Sequence, residues 1–289
     1  VGSSSKEFFR REPPIPDSKF LDFKFLEWKK SIAGQRRKQV VIALVLVLLA
    51  ALTSWRCNVD VQSFITGIHK CIPLVGMFFP PEWSGMAGML QPLAVTAVMA
   101  MAATILGMCL SLPCALAASS NIAPPMVRQV MRAFIALERG LPEIVQMLLL
   151  IAIFGLGTVP GLVALSFSSI GMLAKLLADT IEEIEPQMLE AVAGTGATRS
   201  QVIRYAVIPQ ILPALFANGL FRFEFNVRAG VILGAIGAGG IGYVMMTAMN
   251  SMDYQKACMA TLLTLALVFF SERISDFCRT RILDGGTPR

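Results

Sequence analysis

Six long stretches of the chain, residues 39–55, 83–127, 144–174, 205–221, 229–252 and 257–271, contain no Asp, Glu, Lys or Arg. A helix crosses the bilayer core with roughly 20 consecutive apolar residues, so runs of this kind commit the chain to lipid. Composition agrees: 55% of the 289 residues are hydrophobic, 15% are charged and mean hydropathy is +0.66, too apolar for a soluble domain of this length. The reading is an all-α integral membrane protein. The first 38 residues are polar and charged, unlike a cleavable leader, so the first apolar run is expected to act as the membrane signal. The formal net charge of +6 fits arginines and lysines held on the cytoplasmic side better than nucleic-acid binding.

The number of spans follows from length and charge together. Residues 144–174 hold 31 uncharged positions interrupted by GTVPG. That is about 46 Å of helix, short of the ~60 Å that two crossings need. The spans on either side must therefore include charges. The earlier one is expected to start near Val130 and carry Glu138, Arg139 and Glu143; the later one runs on through Lys175 and Asp179. Lys175 and Asp179 are four apart, share a helix face and can neutralise each other. Reading 205–252 as two spans would put Arg222, Arg228, Arg273, Arg279 and Arg281 outside, against the positive-inside bias. One span from about Ile211 to Ile236 keeps every arginine-rich end inside.

The expectation is thus six transmembrane helices, near 39–55, 89–118, 130–156, 160–181, 211–236 and 256–272, with both termini cytoplasmic. Residues 1–38 form a cytoplasmic arm, either an amphipathic surface helix or disordered, and 39–56 the first span. Residues 57–88 form a periplasmic loop with an interfacial segment, 89–275 the core with a cytoplasmic hairpin at 185–209, and 276–289 a cytoplasmic tail. Trp28, Trp55 and Trp83 flank apolar runs as interfacial anchors. The six cysteines show no metal-binding spacing, and no metal site is expected. Cys57 and Cys71 share a loop in which a disulfide could form.

Charges near the middle of the fifth span are the strongest candidates for function. Arg222 and Glu224 fall near the bilayer midplane, where an unpaired charge costs at least roughly 2.5–3.5 kcal/mol. Glu224 and Arg228 can pair as i,i+4 neighbours, whereas Arg222 lies on another face in a stripe with Asn218 and Asn226. Two readings stand. Arg222 either pairs with Glu138 or Glu143 of a neighbouring helix for packing, or its stripe lines a polar pathway that meets an anionic solute. A guanidinium fork suits a phosphorus oxyanion.

The glycines that follow (Gly237, Gly239, Gly240, Gly242) formally contain G-x-G-x-x-G, but a dinucleotide site needs a strand before them and an acidic residue about 20 positions on. An apolar helix precedes here. Close helix contact and backbone bending, with Gly230 and Gly234 contributing, fit better.

Residues 185–210 read as two short helices. Pro186 suits a helix start, Gly194 and Gly196 a turn, and Thr198 with Gln201 a capping box, while Pro209 marks the start of the next span. In this segment Glu190, Ala191 and Val192, then Gly196, then Ala206, Ile208 and Pro209 follow the pattern E-A-A, three residues, G, nine residues, I-x-L-P. That pattern resembles the loop by which membrane subunits of ABC importers engage their ATPase. Val192, Ala206 and Ile208 depart from it with other small or apolar side chains. LPEIV at 141–145, AKLLADTIEEIEP at 174–186 and RFEFNVRAG at 222–230 are similar to the PhnE-type phosphonate permeases.

The resemblance implies a type I (MetI-like) importer fold in the bacterial inner membrane. It further implies a homodimer with the pathway between two copies, a cytoplasmic ATPase pair that holds ATP and Mg, and a periplasmic solute-binding protein. No G-x-x-x-x-G-K-[ST] is present, so ATP hydrolysis is expected of a partner, with no cofactor in this chain. Phosphonate leads, with phosphite, phosphate and methionine as alternatives. A secondary transporter coupled through Glu224 or Asp179 would leave the hairpin without a purpose. An intramembrane enzyme is disfavoured, because His69 is the only histidine and neither H-E-x-x-H nor G-x-S-x-G occurs.

Overall fold

The computed structural model describes residues 38–54, 56 and 61–284. The expected N-terminal arm, Trp28, Trp55 and the Cys57 end of the disulfide lie outside the described residues. Contacts divide the chain into a unit ending at Pro73 and a second one from Leu74 onward. The first contains α1 (Lys38–Ser54), an apolar helix whose side chains are exposed almost throughout, and most of α2 (Val61–Phe78). His69 sits on α2, not in the loop expected from the sequence.

The second unit is built of helices joined by short turns, with no strand among its described residues. Its elements are α3 (Met86–Ala118), α4 (Pro125–Gly140), α5 (Glu143–Phe154), α6 (Thr158–Glu182), α7 (Pro186–Gly194), α8 (Arg199–Val202), α9 (Ile208–Leu233), α10 (Gly240–Asn250) and α11 (Tyr254–Asp284). Four described helical runs are long and apolar enough to cross a membrane: α3, α6, Arg199–Ala238 and α11. α1, Ile65–Phe78 and α5 are shorter apolar helices. The expected spans at 89–118, 160–181, 211–236 and 256–272 fall on the four long runs, while those at 39–55 and 130–156 fall on shorter helices, α1 and α4 with α5.

α6 is the central helix. Of its most apolar window 61% is buried, against 28–33% for the other three long runs. Helices gain little from hydrophobic exclusion inside lipid and associate through close packing of small residues. The α3–α6 contact works this way: a Cβ at Gly107 would stand 2.4 Å from the Cβ of Ser169, and Ala103 and Ala164 are fully buried nearby. Leu177, Ile181, Val207 and Ile211 fill one end of the bundle, and Met147, Leu165 and Leu233 the other.

Three elements differ from the sequence expectation. The span expected as one helix over 130–156 is broken at Leu141–Pro142, between α4 and α5. Proline disfavours helical backbone in the residue before it, and Leu141 is extended at φ −92°, ψ 120°. Pro209 stands at the start of α9 as expected, but α8 is not separate from that span: it runs into α9 through a π-type turn at Ile203–Val207, a local widening just before the proline ring. The last helix does not stop near residue 272 but continues to Asp284, because no glycine or proline intervenes before Gly285. The expected tail therefore begins as helix.

At the far end of α9 the backbone leaves the helix axis where glycine permits it. Gly237, Gly239 and Gly240 have φ of +129°, +82° and +70°, a region that side chains resist. Gly242 serves close approach instead, since a Cβ there would lie 1.9 Å from the Val231 carbonyl oxygen. α10 starts against α3, where the Ile241 N–H donates to Thr96 Oγ1 at 3.0 Å.

Candidate functional site

The inward face of α9 is polar at its centre. Arg222 is 3% exposed, and three helices contribute to its environment. Its Nη2 donates to Glu143 Oε1 at 2.8 Å and to Ser168 Oγ at 2.7 Å, while Nε donates to Ser169 Oγ at 2.9 Å. The Phe225 ring lies 4.6 Å from its guanidinium carbon, within cation–π range. Ser168 also donates to the same Glu143 oxygen. Glu143 reaches this point because the Pro142 break sets it in the first turn of α5, where the helix dipole favours a carboxylate. Arg222 thus lacks a carboxylate on its own helix, as its position predicts, and finds one on α5.

Asn226, one turn along, is fully buried. Its Nδ2 donates to Thr104 Oγ1 at 2.9 Å and Ser169 Oγ at 3.0 Å, joining α9 to α3 and α6. Asn218 is half-buried at the other end of the stripe. Glu224 faces α11, with Arg279 at 3.4 Å and Arg228 at 3.7 Å, and Arg228 also reaches Glu272 at 3.3 Å. Lys175 and Asp179 pair along α6 at 2.5 Å, as their spacing predicts.

Glu138 does not join Arg222. Its Oε1 is 3.4 Å from Gln146 Nε2 and its Oε2 has no hydrogen-bond partner, although the residue is 3% exposed. Gly171 of α6 makes the room, since a Cβ there would fall 1.3 Å from Glu138 Oε2.

These residues open onto a cleft of about 590 Å³ whose wall includes Arg139, Glu143, Ser168, Arg222, Phe225 and Arg228. Of the polar stripe, Arg222 contributes to the wall, while Asn218 and Asn226 do not, nor does Glu224 on the other face. Three guanidinium groups face two carboxylates, Glu138 and Glu143. Such a wall can bind an oxyanion through forked, charge-assisted hydrogen bonds, provided the anion competes with Glu143 for Arg222. Ser168, Ser169, Gly171 and Thr104 are parts of this site that the sequence reading missed. The cluster SFSSIG within an apolar run was the available signal. Among the described residues no group of His, Cys, Asp or Glu could hold a metal ion.

The hairpin forms a second feature. Pro186 occupies the first turn of α7, Gly196 turns the chain at φ +84°, and the Thr198–Gln201 capping box is present at the start of α8. Glu190 and Ala191 are exposed and Val192 half-buried. A groove of about 370 Å³ lies along the hairpin, bordered by Leu189, Glu190, Arg199 and Ile203. Ile208 and Pro209 begin α9 directly behind it.

The family model described as binding-protein-dependent transport system inner membrane component matches residues 111–284. The phosphite transport system permease protein PtxC of Stutzerimonas stutzeri is 35% identical over 243 residues, covering 83% of this chain and 87% of that protein. The phosphate-import permease protein PhnE of Mycolicibacterium smegmatis is 35% identical over 216 residues, which are 73% of this chain and 41% of that longer protein. Among solved structures, the inward-facing MetNI methionine ABC transporter superposes with a TM-score of 0.61 at 20% identity, over 70% of this chain and 99% of that one. That likeness concerns the fold alone.

Proposed function

This chain belongs to the family of binding-protein-dependent transport system inner membrane components, and from that premise we propose that it is the membrane-crossing subunit of an ATP-driven importer for phosphonate, phosphite or a related phosphorus oxyanion. The observation that carries the substrate class is Arg222, buried in mid-helix on the wall of an arginine-lined cleft. The names of the phosphite and phosphate permeases among its relatives support it. The chain works in the bacterial inner membrane with both termini cytoplasmic. It pairs with a second copy of itself, with a cytoplasmic ATPase dimer and with a periplasmic binding protein.

In this mechanism the hairpin is the input. Its second helix is continuous with α9, so displacement of α8 by the ATPase moves the helix that bears Arg222, 14 residues beyond Ile208 and about 21 Å along the axis. Glu143 holds Arg222 when no solute is present. An arriving oxyanion replaces that carboxylate and takes up the Arg222 and Ser168 donors. Closure and reopening of the spans on opposite sides then release the anion inward.

The test is ATP hydrolysis by the chain and its co-purifying ATPase in proteoliposomes, with the binding protein loaded in turn with methylphosphonate, phosphite, phosphate or methionine. Stimulation by a phosphorus oxyanion supports the proposal. Stimulation by methionine alone, or no associated ATPase, refutes it.

A further inference from the structure

A second cavity, about 430 Å³, lies between α4 and α6, bordered by Arg132, Ala136, Arg139, Lys175 and Asp179. Arg139 borders this cavity and the Arg222 cleft alike. The α6 side chains that accompany it, Ser168 and Met172 in the cleft, Lys175 and Asp179 in the lower cavity, and Glu182 beyond, recur at three- and four-residue intervals. They therefore form one helix face, and its 14 residues span about 21 Å. Both cavities open along this face, which ends at the hairpin.

The charges on this face are paired except at Arg139 and its neighbour Glu138, whose Oε2 is buried without a hydrogen-bond partner. Arg132 is held by Glu182 and by the Ala118 carbonyl oxygen at 2.9 Å, and Lys175 by Asp179 at 2.5 Å. Glu138 and Glu143 border the cleft, and Glu143 is taken by Arg222. Arg139 is exposed in the last turn of α4, and no hydrogen bond or ion pair within the described residues engages it. A free guanidinium at the level of a transmembrane helix turns toward water or an anion, because lipid excludes it.

We propose that Arg139, with Lys175 below it, forms a second oxyanion station that receives the solute from the Arg222 cleft and passes it down α6 toward the hairpin. This rests on the reading of the chain as an oxyanion permease. Arg222 is occupied by Glu143 and two serines, so it holds an anion only while that set is displaced. Arg139 makes no hydrogen bond or ion pair among the described residues, and its position on both walls gives the departing anion a cation to move to. The opposing reading is that Arg139 only complements the dipole at the end of α4.

The two readings separate by protection. Ala136→Cys places a reporter thiol in the lower cavity of a chain whose six native cysteines are replaced by alanine, assembled with its ATPase in phosphatidylcholine nanodiscs. Methylphosphonate is expected to slow labelling by a negatively charged thiosulfonate at least threefold. Arg139→Gln should abolish that protection and Arg139→Lys should keep it. Should Arg139→Gln fail to assemble, Lys175→Gln takes its place and must weaken protection.

Absence of protection, or protection that survives Arg139→Gln, overturns the station. Protection by added phosphatidylglycerol but not by methylphosphonate assigns the cavity to a lipid headgroup and overturns its place on the solute path. ATPase stimulation by the loaded binding protein is read on the same discs. Stimulation without protection removes only this inference, whereas no stimulation by any phosphorus ligand removes the functional reading beneath it.

Discussion

Arg222 presents two separable roles, a structural tie to Glu143 and a donor to solute, and mutation can part them. Arg222→Ala leaves a partly buried carboxylate unpaired, which costs about 3 kcal/mol where a buried pair is broken from one side. A lower melting temperature of the purified protein is expected. Adding Glu143→Gln removes the stranded charge, so the double variant should regain most of the stability while transport stays lost. Recovery of both would make Arg222 a packing residue only. Gly171 offers a second test at this scale. Gly171→Ala drives a Cβ into Glu138, and overpacking of that kind costs roughly 1–3 kcal/mol, read by thermal denaturation. Combined with Glu138→Ala the loss should be clearly smaller than the sum, the signature of residues in contact. Arg222 and its candidate partner Glu143 were legible in the sequence, because a charge within an apolar run is conspicuous and must be paired. Ser169, Gly171 and Thr104 were not. Their roles depend on the register of α6 against α3 and α9, and helical spacing within one segment does not encode that register.

The hairpin was the most legible element, because its signals are local: Pro186 at a helix start, a glycine where φ is positive, and a capping box four residues long. Thr198→Ala removes the cap and about 1 kcal/mol of local stability. Amide exchange at 199–202 should rise, and ATPase stimulation by the loaded binding protein should fall, with the global melting temperature nearly unchanged. Normal stimulation alongside raised exchange would mean that α8 does not transmit the coupling. The α4–α5 break was missed for an instructive reason. Counting charges shows how much helix a crossing needs but not whether that helix is continuous, and Pro142 interrupts it where Glu143 must turn toward Arg222. The π-type turn before Pro209 likewise makes one lever of two elements that the proline had suggested were separate.

At the scale of the whole molecule, α6 organises the bundle. It packs on α3 through small residues, supplies Ser168 and Ser169 to the Arg222 set, carries the Lys175–Asp179 pair, and runs toward the hairpin. The all-helical class and the four expected spans that fall on long apolar helices were legible because apolar run length is a global constraint. Transport in this proposal turns on one step, the passage of a phosphorus oxyanion by way of Arg222. ATP-dependent uptake of radiolabelled methylphosphonate into proteoliposomes, with binding protein and ATPase present, tests it most directly. Wild type should accumulate the label, and Arg222→Ala/Glu143→Gln should fall at least about tenfold, as expected when a charge-assisted contact worth ~1.5–3 kcal/mol is removed from the path. Uptake by the stable double variant at the wild-type rate would contradict the claim.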